Sequence, residues 1–387
     1  MRNDKLSEYY VLRKFIRIML MALGLLPLEG ACVLYQFVPY IHLFLTVGLA
    51  YGLFGFVFTH ITNVVIVAKN SALMISLFSL CVKLLCMIIY QEDTKLLFHG
   101  LDEYFNKLIN DQKFTDIVSK GITPTKWVVW FLSFLCFVMC TTNLVIPIIF
   151  ILHQRKHHIK PLTYILPNGT KYPWAVVGPG LLYKLHYFYE ILAIYSSVTI
   201  TCAIEPLFSL FTIQMIGQFR EMSFRMIHLD QSDQCEIVVR QCISQYIVLM
   251  KHRDRMQKVF GPVVLQMIIT NAIVLSLGIF QLSQMKTVSM VHLTLFITYV
   301  CFKILQTFIS AWSGTRLTTE SENYRDSVYA SNWVGNRRVI TSVLMMLSQK
   351  PLSLTACHFS TISVDMFVSV LNTAMSCFFL LRTLQHD

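Results

Sequence analysis

Seven stretches of this chain, approximately 37–59, 65–90, 127–152, 181–212, 259–284, 288–312 and 361–384, are each long and apolar enough to cross a bilayer. A helix rises about 1.5 Å per residue, so roughly 20 mostly apolar residues cover the ~30 Å of hydrocarbon. Over the whole chain 55% of residues are hydrophobic and 14% charged, with a mean hydropathy of +0.58, whereas soluble domains carry about 25% charge. The expected fold is an all-α membrane protein of seven transmembrane helices. A less apolar helical stretch, 338–347, precedes the last span.

Charge sets the orientation. With the N-terminus inside, 22 Lys and Arg fall on the cytoplasmic side and eight outside, so the positive-inside rule predicts a cytoplasmic N-terminus and an extracellular C-terminus. The remaining two, Lys83 and Lys303, lie in the inner third of their spans, where a long stem is expected to snorkel to the cytoplasmic interface instead of meeting a substrate. The single sequon, Asn168-Gly169-Thr170, falls in the outside loop 153–180 and makes Asn168 a glycosylation candidate. The net charge of +11 reports topology; basic runs on soluble elements are absent, so no nucleic-acid partner is expected. Residues 1–36 open with Arg2, Lys5, Arg13, Lys14 and Arg17 and a short apolar run from Ile18 to Leu28, closed by Pro27 and Glu29, with Gly30-Ala31-Cys32 beyond. This resembles a signal peptide, but a first span that already orients the chain makes cleavage unnecessary, and 1–36 is read as a cytoplasmic segment.

Catalytic and metal chemistry find no pattern here. Eleven scattered cysteines, most of them in apolar segments, read as small hydrophobes, and no CxxC occurs. His153, His157 and His158 have the HxxxHH spacing that opens a di-iron site in membrane desaturases, yet the other histidines are isolated, and a solvated basic loop is the expectation. Asp254-Arg255 resembles the acidic–basic pair of G-protein-coupled receptors but stands between spans four and five, and no NPxxY follows. No Gly-rich phosphate loop or GxSxG appears, so neither an enzyme nor a cofactor is predicted.

Three patterns carry information about function. Cys235, Val239, Cys242, Tyr246, Leu249, Met256 and Phe260, interrupted only by Arg253, share one helical face, which predicts an amphipathic extension out of the membrane that packs on partners of its own kind, between subunits. The outer halves of spans two to six are rich in aromatic, Met and small polar residues. Met74, Phe78, Cys140, Asn143, Tyr183, Tyr187, Ile194, Ser276, Phe280 and Met290 are the candidates for an apolar pocket with a few polar anchors, suited to a small hydrophobic ligand. Along the last stretch Asp365, Ser369, Asn372, Ser376 and Thr383 follow steps of four, three, four and seven on one face. Such a stripe faces either water or a helix–helix seam.

The C-terminal third carries Ser321-Glu322, Trp333, Arg337-Arg338, the run from Lys350 to Ala356, and Phe367 to Leu381 with Ser376-Cys377-Phe378 at its core. These resemble insect odorant receptors, and the span count, orientation and length extend the resemblance over the whole chain; Tyr187 to Glu205, Leu207-Phe208 and Gln214 to Glu221 look like that family's fourth span. The resemblance implies a tetrameric ligand-gated cation channel, permeable to monovalent and divalent cations, in the plasma membrane of a sensory dendrite. Four copies of the last helix would surround one pore, odorant-binding subunits joining a co-receptor in a heterotetramer. This chain lacks the co-receptor's longer insertion between spans four and five and is expected to be the ligand-tuning subunit. It places the hydrophobic gate at Leu380 and Leu384 with Thr383 between them, and Asn372 and Ser376 on the pore; Cys377, where many members have Tyr, and Arg382 depart from the pattern. The implied organisation is 1–36, a ligand-binding six-helix region 37–312, and 313–387 with an anchor helix and the pore helix. A gustatory-type receptor of the same superfamily would end in a TYxxxxxQF-like motif, absent here, and a metabotropic receptor or transporter would bury the polar stripe against protein.

Overall fold

Inside hydrocarbon every backbone N–H and C=O must be satisfied within the segment, and all seven apolar stretches are helices. The computed structural model describes residues 2–386 apart from 27, 29, 31, 61–63, 159, 160, 175, 177, 179, 230–234 and 285–289; side chains of 2–4, 64–66, 68, 69, 284, 290–292 and 384–386 are likewise outside the description. The chain runs α1 (Arg2–Ala22), α2 (Val33–Thr59), α3 (Val64–Ile89), α4 (Gln91–Leu97), a π-helical turn (Phe98–Asp102), α5 (Glu103–Asn110), α6 (Thr115–Val118) and α7 (Ile122–Lys156). It continues through α8 (Leu181–Ile227), α9 (Cys235–Gln284), α10 (Met290–Tyr329), α11 (Ile340–Ser348), the strands β1 (Thr355–Ala356) and β2 (Ser360–Thr361), and α12 (Val364–His386). Helices α2, α3, α7, α8, α9, α10 and α12 contain the membrane-spanning segments.

Length separates the two ends of the bundle. At 47, 50 and 40 residues, α8, α9 and α10 reach about 70, 75 and 60 Å, at least twice the hydrocarbon thickness. Their surplus projects from one end, the anchor end, where α1, α4 to α6 and α11 gather. The loop joining α7 to α8 closes the opposite end, the pocket end. Every residue of α8 from Thr199 to Phe219 is buried, the condition of a helix surrounded on all sides.

α1 is an integral part of the anchor end. Tyr9, Leu12, Ile16, Leu20 and Leu23, at helical spacing, are buried in the main core. Arg13 Nε donates to both oxygens of Asp102 at 2.8 and 3.1 Å, while Gln214 of α8 donates to Asp102 and to the Tyr9 hydroxyl at 3.1 and 3.0 Å. Burial beside Asp102 raises the Tyr9 phenol well above its ordinary range.

The apolar stripe of α9 differs from its expected role. Cys235, Val239, Cys242, Leu249, Met256 and Phe260 are at most 2% exposed within this single chain. The sequence expectation had this face between subunits; its partners are instead the surplus turns of α8 and α10, with Phe260 against Phe208 and Phe211, and Tyr246 against Phe219 and Tyr324. One buried residue off this stripe, His252, lies over Gly100 of the π-helical turn, where any side chain would strike the imidazole.

Before α12 the chain is strapped onto α10. Leu352 N donates to Ser321 Oγ at 2.8 Å, Val364 N to Thr315 Oγ1 at 2.9 Å, and Ile362 crosses α10 at Gly314 too closely for a side chain there. Helix α12 buries Met366, Val370, Ala374 and Phe378, four residues apart, against its own chain.

Candidate functional site

A cavity opens between the helices toward the pocket end in two adjoining lobes of about 490 and 110 Å³, sharing Leu73, Met139, Asn143, Asn168 and Tyr299. Its walls are mostly apolar side chains from α2, α3, α7, α8, α9 and α10, such as Ile146, Phe150, Leu295 and Phe296; Asn70, Asn143, Asn168 and Gln281 supply polar points. That size and composition suit a small, mostly hydrophobic molecule.

The roof is the α7–α8 loop. Glu190, fully buried on α8, accepts from Asn168 N at 2.9 Å, Asn168 Nδ2 at 3.2 Å and the Thr170 hydroxyl. Lys171 N donates to Gly52 O at 2.9 Å, and Tyr183 Oη to Ile165 O at 3.0 Å. These bonds hold residues 165–169 across the cavity. The atom of Asn168 that a glycan would occupy is turned to Glu190 and the cavity wall.

Of the expected pocket residues, the structure brings Cys140, Asn143 and Ile194 to the cavity. Tyr183 and Tyr187 stand behind it, the second donating to Leu144 O at 2.8 Å. Met74 is half-buried, Phe78 is exposed, and the hydroxyl of buried Ser276 bonds back to Ile273 O. Phe280 packs against Phe378 of α12. The side chain of Met290 lies outside the described residues. Reading by composition missed Leu73, Met139 and Tyr299, and the roof entirely. A signal was present: Asn70, a polar residue in an apolar run, marks the inward face of α3, on which Leu73, Leu77 and Leu80 follow at helical spacing, whereas Met74 and Phe78, four and eight residues from Asn70, fall on its other flank and line neither lobe.

The floor of the smaller lobe holds charge. Lys83 does not snorkel: its ammonium is buried and paired with Glu205 of α8, which also accepts from Gln306 Nε2 at 2.7 Å. The expected outward reach fails because a carboxylate far away in sequence offers a partner inside the bundle, where a paired charge is cheaper than an isolated one. Lys303, 5% exposed, likewise lines this lobe. The His153 and His157 rings lie 4.4 Å apart, but among the described residues no three metal-ligating side chains converge.

On α12, Asp365, Ser369, Asn372, Thr373, Ser376, Leu380 and Thr383 are all exposed on one face, and an open groove about 480 Å³ in volume runs along it from Asp365 to Ser376. The side chain of Leu384 lies outside the described residues. Buried Phe280 and Phe378 couple this helix to α9, whose neighbouring Gly278, Gln281 and Leu282 line the cavity.

A family model described as 7tm Odorant receptor matches residues 63–375. The odorant receptor coreceptor of Anopheles gambiae is 27% identical over 157 residues, 39% of this chain and 33% of that protein. Odorant receptor 13a of Drosophila melanogaster is 23% identical over 242 residues, 57% of this chain and 58% of that protein. The chain thus spans between a third and three fifths of the length of these curated relatives. Among solved structures, the insect olfactory receptor OR5 from Machilis hrabei in complex with eugenol superposes with a TM-score of 0.78 over 98% of this chain and 100% of that one, at 15% identity. A second structure of that receptor gives 0.75 at 14% identity.

Proposed function

That this chain belongs to the 7tm odorant receptor family is the premise from which we propose that it is the ligand-tuning subunit of an odorant-gated, non-selective cation channel in the plasma membrane. The observation that carries the reading is the exposed polar face of α12. Lipid is a poor environment for Asp365, Asn372 and their neighbours; a water-filled pore shared with copies of the same helix is a good one. The positive-inside count puts the pocket end outside, so a small volatile reaches the cavity from the outer leaflet or the aqueous phase outside. In this scheme Asn372, Ser376 and Thr383 line the pore, and Leu380 with Leu384 forms an apolar constriction that gates by dewetting.

Ligand binding opens the pore only to the extent that the ligand prefers the open arrangement. The path for that preference is short: the cavity wall on α9 adjoins Phe280, and Phe280 bears on Phe378. The partner is an odorant co-receptor, with which the chain forms a heterotetramer. Whole-cell recording with a panel of volatiles, eugenol among them, tests the proposal on the chain alone and co-expressed with an insect co-receptor. Ligand-dependent cation current in the pair is the expected result; silence in both, with surface delivery confirmed, overturns it.

A further inference from the structure

The floor of the cavity is unfinished in two places. Glu205 Oε1 already holds Lys83 and Gln306 Nε2. Lys303, with its ammonium 5.9 and 5.8 Å from the ring centres of Tyr299 and Phe302, makes no hydrogen bond or ion pair among the described residues. Gln306 Oε1 is buried without a partner. Two residues three apart on α10 therefore present, side by side on one face, a cation lacking an acceptor and an acceptor lacking a donor. Ring faces compensate a desolvated ammonium only weakly, and an unmet buried polar atom costs about 1–3 kcal/mol. An intramembrane ionisable residue in this position points to function.

We propose that this floor is a recognition site for the head group of a small carboxylic acid, which names the ligand class of the pocket and rests on the reading of the cavity as a ligand site. The acid enters undissociated and gives its proton to water, because the unpaired ammonium favours the carboxylate; the carboxylate then accepts from Lys303 and from a water whose second proton goes to Gln306 Oε1. The undissociated acid is the volatile form, and the form that crosses lipid without charge. Its alkyl chain runs up from the small lobe of about 110 Å³, past Ile194 and Phe302, into the larger one. An ester of the same length offers Lys303 a carbonyl without the charge, and an alcohol only a hydroxyl.

The test is ligand-induced thermal stabilisation of the purified full-length protein in lipid nanodiscs at about pH 5, where undissociated acid is present, titrated with hexanoic acid, methyl hexanoate and hexan-1-ol. The acid should reach half-maximal effect at a concentration about tenfold or more below either analogue, the loss expected for one hydrogen bond to a charged group. Lys303→Met should abolish that advantage and Gln306→Leu reduce it, with stabilisation by the ester still measurable in both; Lys303→Arg should keep it. Equal potency of the ester or alcohol in the wild type overturns the proposal, a comparison that needs no variant to fold. So does an undiminished acid effect in Lys303→Met, or an equal Lys303-dependent stabilisation by sodium chloride, which would assign the floor to a halide. Because binding is read without current, acid binding with no current sinks only the channel reading. Current to neutral volatiles without acid selectivity sinks only this one.

Discussion

Glu190 shows how much one side chain organises at the pocket end. A carboxylate with no exposure survives there because the roof loop supplies donors from Asn168 and Thr170, and hydrogen bonds to a charged group are worth about 1.5–3 kcal/mol each. Glu190→Gln puts an amide where acceptors are needed, and the half-maximal odorant concentration is expected to rise about tenfold or more with maximal current retained; an unchanged dose–response curve would detach the roof from ligand binding. Since Asn168 Nδ2 is committed to the same carboxylate, digestion with an N-glycosidase should leave the gel mobility of the mature protein unaltered. His252, on the turns of α9 that project beyond the spanning stretch, gives a pH prediction. Burial, with Arg255 nearby, pushes its imidazole down to about 4, so between its ordinary value and about 4 the unfolded chain binds the proton and the folded chain does not. Stability at the anchor end therefore falls as pH drops below about 6.5, and His252→Gln should flatten that limb of a melting-temperature profile. Residues such as these were legible only in half: Asn168 could be read as a sequon and Lys83 as a misplaced charge, but their partners come from other helices, and spacing along the chain holds no record of that.

Helices were the most legible level, because hydropathy and period act locally. Each of the seven apolar stretches is a helix, and the step pattern that separates Met366, Val370, Ala374 and Phe378 from the polar stripe of α12 is visible without any neighbour. What a face packs against is another matter. The stripe from Cys235 to Phe260 correctly announced a partner and misplaced it, since a run of apolar residues is the same whether its complement is in the same chain or another. Three predictions belong here. Gly217 on α8 admits the ring of Phe105 and Val118 where a Cβ would sit, so Gly217→Ala should destabilise the anchor end by about 1–3 kcal/mol through overpacking, seen as a lowered melting temperature. On α12, cysteines introduced at 369, 372, 376 and 380 should react with a water-soluble thiol reagent and reduce current, while cysteines at 370 and 374 should not. Leu380→Ser should raise basal current in an assembled channel; unaltered leak would remove Leu380 from the gate.

At the scale of the molecule, three overlong helices divide labour between the two ends. The anchor end is densely packed, with α8 enclosed on every side over 21 residues, and carries its own half-buried polar ties: Arg13 to Asp102, Arg220 to Glu320, and Tyr104 and Gln245 to Glu221. The pocket end holds the volume. Ligand-driven rearrangement should therefore concentrate there, and hydrogen exchange on addition of an activating volatile is expected to change in 161–174 and the pocket half of α9 while the amides of 199–219 stay protected; equal exchange over both would contradict the division. A different consequence follows from the bare polar face of α12. Until partners arrive, an unaccompanied copy must show Asp365, Asn372 and Ser376 to fatty acyl chains. That makes an orphan subunit recognisable to the machinery that inspects new membrane proteins, so the residues proposed to pass ions would also decide which copies leave the site of synthesis.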